Sequence, residues 1–348
     1  MKKYLVSGIK LAFSLGLGVG LIWWIVSHMT PEEQEKTWDA FKRAKYGWIL
    51  LAPVLGILSN LSRTQRWRQL LEPTGHMPGY WNTFFSVMMM YFFNLFFPRL
   101  GEVTRCGVLA RYEKVPLDKS IGTMVVERFV DLISILLIGG VLFLFESERL
   151  ITFWNKKAEL ANAKGATAAD GSSTIYWVIG AILVLVIAAV AFWFLQRKHG
   201  LDKLKSMALD RIRGLWEGLM SIRNLKRPWE FLAHTVFIWF CYLMMVYVSF
   251  PALEETSGLG ILAAMAGLFM CGFAIVLSPG GVGFYPLFMQ FVLMMYGVDK
   301  NVGYAFGSVV WAAQIGSMFI GGLLSLILLA ILNREPALDK ETPLNAAP

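Results

Sequence analysis

Charge is what this chain has least of. Charged side chains make up 16% of its 348 residues and hydrophobic ones 56%, against about 25% charged residues in a soluble domain. That scarcity excludes a chain organised around a water-soluble catalytic domain. Metal and thiol chemistry are equally thin. The three cysteines (Cys106, Cys241, Cys271) are scattered and odd in number, so they give neither a disulfide framework nor metal-ligand spacing. The four histidines (His28, His76, His199, His234) do not cluster. No Ser-His-acid arrangement can be argued. The glycine-rich run Pro279-Gly280-Gly281-Val282-Gly283 lacks the lysine of a phosphate loop. Gly16, Gly18 and Gly20 sit in an apolar run, where they permit close helix packing rather than dinucleotide binding. The expectation is no catalytic residue, no metal and no cofactor. The short alternating segments of a membrane β-barrel are missing too.

Apolar blocks of roughly 17–25 residues are there instead, the length that crosses a bilayer as a helix. They predict an all-α, polytopic integral membrane protein with about six full spans. The spans lie near Tyr4–His28, Tyr46–Ser62, Ser120–Phe145, Ile175–Gln196, Phe231–Phe250 and Tyr304–Leu332. Lys2 and Lys3 precede the first run in the manner of a signal peptide. However, Ser27-His28-Met29 offers no small-x-small cleavage site, so the run reads as a retained helix. Three further apolar pieces, Tyr80–Phe97, Gly260–Leu277 and Phe284–Tyr296, are shorter and adjoin Pro/Gly clusters, which predicts two re-entrant or broken helical hairpins.

The breaks match. Pro98 and Pro279 are 181 positions apart, and the flanking spans recur at similar offsets. The chain therefore divides into a first membrane repeat, 1–146, an outside loop, 147–174, and a second repeat, 175–333, with a disordered tail, 334–348. The loop piece Ala158–Ser173 is small, polar and flexible in composition. With both hairpins re-entrant, the segments expected in the cytoplasm hold 22 of the 32 Lys and Arg residues, and those expected outside hold nine. This asymmetry places the N-terminus in the cytoplasm of a cell (inner) membrane protein. Each repeat crosses an odd number of times, so the second is inverted relative to the first, as in many transporter folds. The basic segment 197–230 fits either a helix on the anionic inner leaflet or a loop helix packed on the protein.

Three clusters could carry chemistry. Glu127-Arg128-Phe129-Val130-Asp131 lies inside an apolar span, where each charge costs about 2.5–3.5 kcal/mol at the centre. Arg128 and Asp131 can pair at i,i+3. Glu127 and Asp131 share that face, and one arginine cannot neutralise both, so a further cation from another helix or a ligand is required. A structural ion pair near the span's end is the plainer alternative. At the first break, Pro98-Arg99-Leu100-Gly101-Glu102-Val103-Thr104-Arg105 puts Glu102 and Arg105 on one face, and Arg105 suits a phosphate. The alternative there is a surface ion pair. Arg63 and Arg66, beside Trp67 at the end of the second span, read equally as interfacial anchors or as headgroup ligands. Pro98, Gly101, Pro279, Gly280, Gly281 and Gly283 are the expected hinge positions, and the two breaks are expected to meet at one site.

Taken in order, Arg63-x-x-Arg66-Trp67, Pro98-x-x-Gly101-Glu102-x-x-Arg105, Glu127-Arg128-x-x-Asp131 and Pro279-Gly280-Gly281-x-Gly283 resemble the lysylphosphatidylglycerol synthase transmembrane region, a flippase-like membrane family. The resemblance spans nearly the whole chain. It implies lipid handling, since this region in bifunctional members is thought to move an aminoacylated phospholipid between leaflets. Their soluble transferase domain has no room here, so no lysyl transfer is expected. The family pattern also tends to place a glutamate after the second break and an arginine in the following helix. Here those places read Phe284-Tyr285-Pro286 and Val310-Trp311-Ala312. The reading that results is a lipid-handling protein, a flippase for a phospholipid or lipid-linked intermediate. Its substrate-binding residues are Arg63, Arg66, Glu102, Arg105, Glu127, Arg128 and Asp131. Its partners are membrane lipid and anionic inner-leaflet lipids, not nucleic acid. A membrane-embedded transferase on a lipid-linked substrate and a non-transporting scaffold are the alternatives.

Overall fold

In the computed structural model, the residues described are 20, 22–97, 99–163 and 225–333, and among them all regular structure is helical. Most of the expected first span, the span Ile175–Gln196, most of the basic segment, the end of the outside loop, Pro98 and the tail lie outside the described residues.

Nine helices of ten or more residues are described. α1 (Pro31–Arg43) is polar and opens with a capping box: the Thr30 hydroxyl accepts from Glu33 N–H, and the Glu33 carboxylate accepts from Thr30 N–H. α2 (Tyr46–Leu71) follows at a 71° bend. α3 (Tyr80–Phe96) and α4 (Leu100–Tyr112) flank the first break. α5 (Leu117–Ala163) is a single helix that begins before, and runs well past, the apolar stretch that foretold it. α6 (Pro228–Tyr247), α7 (Ile261–Leu277), α8 (Phe284–Met295) and α9 (Lys300–Leu332) complete the chain. Among the described residues, α5, α6 with its short continuation, and α9 are long and apolar enough to cross a membrane. So is the bent α1–α2 pair taken together, while α7 and α8 are apolar but shorter.

The two broken hairpins are built alike. α3 and α7 are each 17 residues long. After α3 the backbone turns through Arg99 with φ 65 and ψ 0. After α7 it turns through Gly280 with φ 62 and ψ 9. These two left-handed residues are 181 positions apart, and Arg99 adopts there a conformation that disfavours most side chains.

The packing is also reciprocal. α2 lies against α6, α3 against α9, and α7 against α5. Small residues allow the close approaches. A Cβ on Gly321 of α9 would come within 2.3 Å of Met88 on α3, and one on Gly139 of α5 within 2.6 Å of Phe269 on α7. Gly139 and Gly321 are 182 positions apart, and Met88 and Phe269 are 181 apart. Positions about 181 apart thus make matching contacts.

Candidate functional site

The charged residues of three helices converge in the interior. Three positions apart on α2, Arg63 and Arg66 face the same way. Glu127 and Asp131, four apart on α5, face them. Arg63 pairs with Glu127 and, at 3.0 Å, with Asp131. Arg66 reaches Asp131 at 2.8 Å and Glu127 at 3.4 Å. Arg105 comes in from α4 to lie 3.0 Å from the other oxygen of Glu127. Arg128 completes the group at 3.4 Å from Glu127 and 3.8 Å from Asp131. The side chains of Arg66, Arg105 and Glu127 have no exposed surface, whereas that of Arg128 is 41% exposed. A further cation was required of another helix or a ligand; three arrive from α2 and α4, and the cluster ends with four arginines against two carboxylates.

Aromatic and hydroxyl side chains hold this cluster in place. The Arg105 guanidinium lies over the Trp67 ring, 4.2 Å from its centroid, and Trp67 donates its indole N–H to the Thr123 hydroxyl at 3.1 Å. Arg66 donates to the Thr235 hydroxyl of α6 at 3.3 Å. Arg63 donates to the Tyr242 hydroxyl at 3.2 Å, and Tyr242 in turn contacts the Tyr91 hydroxyl at 3.1 Å. Next to Thr235 in the chain, His234 places its Nδ1 2.8 Å from the Ser62 hydroxyl. Sequence reasoning missed Tyr91, Thr235 and Tyr242. The signal for them was slight, because hydroxyls in apolar helices are common and Tyr242 is 179 positions from Arg63.

Two of the plainer alternatives left open by the sequence do not hold. Arg63 and Arg66 are not interfacial anchors: both are buried and ion-paired, because the acids of α5 sit opposite the inner face of α2. Arg105 does not form a surface ion pair with Glu102. It is fully buried and pairs with Glu127, while Glu102 is half-buried and makes no ion pair among the described residues.

The first break lies about one helical turn from Arg105. Gly101 is needed where α4 starts against α3: its N–H donates to Asn94 Oδ1 at 2.9 Å, and a Cβ there would be 2.0 Å from the Met90 carbonyl oxygen. At the second break, Gly280, Gly281 and Gly283 all have positive φ. A Cβ on Gly280 would lie 3.3 Å from Leu95, in the last turn of α3. The second break thus packs on the end of the helix that leads into the first. Trp311 donates its indole N–H to the Gly280 carbonyl at 2.8 Å. A separate apolar cavity of about 1050 Å³ is lined by Trp38, Phe41, Ile49, Pro286, Val309 and Trp311, among others, and by none of the clustered charges. Pro286 and Trp311 stand in the two stretches where the family resemblance led one to look for charge.

Comparison with known proteins gives a family and one distant relative. A family model described as Lysylphosphatidylglycerol synthase TM region matches residues 9–322. A curated UPF0104 membrane protein of Methanocaldococcus jannaschii is 21% identical over 318 residues, which cover 84% of this chain and 87% of that protein. No solved structure matches the chain.

Proposed function

We propose that this membrane protein, which belongs to the Lysylphosphatidylglycerol synthase TM region family, handles membrane lipid and moves the headgroup of a phospholipid or lipid-linked intermediate across a cell (inner) membrane. One observation carries the proposal: six charged side chains from α2, α4 and α5 meet in an apolar helical protein, and four of them, Arg63, Arg66, Arg105 and Glu127, are buried. Charges at membrane depth are costly and mark substrate pathways. They lie on the helices around a break, where transporter folds assemble their sites.

In this reading the two halves are an inverted repeat with a cytoplasmic N-terminus. Their shared turn, at Arg99 and Gly280, and their reciprocal packing support it. The charges belong to the first half, and the second contributes Thr235, Tyr242 and an apolar wall. Such a site suits an amphipathic lipid better than a small ion. Partners are membrane lipid and the anionic lipids of the inner leaflet.

Purified protein in vesicles that carry a headgroup-labelled phospholipid tests this. An impermeant quencher should bleach only the outer-leaflet label in protein-free vesicles and the whole pool when the protein is present, with or without an imposed ion gradient. A folded protein that leaves the label in its leaflet under both conditions overturns the proposal.

A further inference from the structure

The charge cluster is electrostatically unfinished, and the sign of what is left over is informative. Glu127 and Asp131 supply two negative charges, while Arg63, Arg66, Arg105 and Arg128 supply four positive ones. Among the described residues the surplus is two positive charges, or one with the half-buried Glu102 counted, and Arg128, 41% exposed, carries its charge where water reaches it. A surplus charge in a low-dielectric interior is expensive unless a partner compensates it.

The hydrogen-bond inventory points the same way. Arg105 is fully buried, yet among the described residues none of its three guanidinium nitrogens has a hydrogen-bond partner, and Nε of Arg63, Arg66 and Arg128 also has none, against two carboxylate oxygens, Glu127 Oε2 and Glu102 Oε2, in the same position. Arg105 is within 3.0 Å of Glu127 but poorly aligned with it, and its face is occupied by Trp67. What remains is the edge of a planar donor fork, the part that matches a tetrahedral oxyanion. Arg128, as the exposed member, marks the open side of the group.

We infer that the cluster binds a phosphate-bearing anion, held by Arg105 and Arg128 with Arg63 and the Tyr91–Tyr242 hydroxyl pair beside it. The inference rests on the cluster being the ligand site proposed above, and it adds the sign of the ligand. A headgroup whose net charge is positive, such as a lysyl ester of phosphatidylglycerol, brings further positive charge to a group that already has too much. An anionic phosphodiester lipid or free phosphate supplies what is missing.

Calorimetric binding to the purified full-length chain in detergent tests this with four probes: phosphatidylglycerol, phosphatidylcholine, lysyl-phosphatidylglycerol and inorganic phosphate. Phosphatidylglycerol should bind saturably and at least tenfold more tightly than phosphatidylcholine or lysyl-phosphatidylglycerol. Arg128→Gln should weaken that binding at least tenfold, and the exposed Lys119→Gln should not. If Arg128→Gln fails to fold, Arg105→Lys, which keeps the charge and removes the fork, should weaken it instead. Binding of inorganic phosphate with the same dependence on Arg128 identifies free phosphate as the ligand source; binding of phosphatidylglycerol alone identifies the lipid. Equal binding of all three lipids, tightest binding of the lysyl lipid, no binding by any probe, or indifference to the variant that folds overturns the inference. Binding with this pattern by a protein that moves no lipid in vesicles sinks the transport reading and leaves the anion site standing.

Discussion

Glu127 is the one side chain that touches every arginine of the cluster, and it has no exposed surface. Replacing it with Gln would leave four buried or half-buried guanidiniums with Asp131 alone. Breaking a buried pair by removing one partner costs about 3–5 kcal/mol, and Glu127→Gln should destabilise the protein by about that much. Arg128 can pair with Asp131 at i,i+3, but Arg63 and Arg66 hold that carboxylate more closely. Arg128→Gln should therefore cost under about 1 kcal/mol, in the range of an exposed pair. Thermal unfolding of the two variants in detergent checks the order; an Arg128→Gln loss as large as that of Glu127→Gln contradicts it. The sequence revealed the site in part. Charges inside an apolar run stand out by their cost, so Glu127, Arg128 and Asp131 were legible, as was the need for another cation. Which cation was not legible, because Arg63 and Glu127 are brought together from 64 positions apart by packing, which no local spacing encodes.

The helices around the breaks were easier to read than the residues between them. Proline and glycine end helices for local reasons, so α3, α7 and α8 begin and end within about one residue of the apolar pieces that foretold them. Helices that continue as polar structure were read short. α2 runs on to Leu71 because its later turns bury Arg66, Trp67 and Gln69, and α5 runs on to Ala163. Close helix packing makes a sharp prediction at this scale. A Cβ on Gly322 of α9 would lie 2.2 Å from the Cβ of Phe92, an atom fixed to the α3 backbone. Gly322→Ala should cost about 1–3 kcal/mol through overpacking. Gly316→Ala, six residues earlier with open space around it, should be neutral or gain up to about 1 kcal/mol from better helix propensity. Melting temperatures of the two variants in the same detergent decide it, and an equal effect at both positions contradicts the packing account.

Across the whole molecule, residues assigned to one side of the membrane by charge counting meet one another. On the side expected to face outward, Glu33 pairs with Lys300 and Arg43 with Glu255, the Lys45 N–H donates to the Ala252 carbonyl, and Arg149 lies over the Tyr296 ring. The hydrogen bond from Lys300 holds the half-buried Glu33 carboxyl below the usual carboxylate range. On the side expected to face the cytoplasm, Glu72 pairs with Lys226, Gln69 donates to Glu230, and Asn82 and Asn333 exchange side-chain hydrogen bonds. The central claim is that two matched halves cross the membrane in opposite senses, so that their breaks meet beside one charged site. Labelling of single cysteines with an impermeant thiol reagent in intact cells tests it most directly, since Cys106, Cys241 and Cys271 are all buried and give a quiet background. Cysteines introduced at the exposed positions Glu35 and Ser257 should react from outside, and those at Met77 and Asp118 only after the cells are permeabilised. Labelling of Met77→Cys or Asp118→Cys in intact cells, or protection of Glu35→Cys and Ser257→Cys there, would contradict the inverted arrangement.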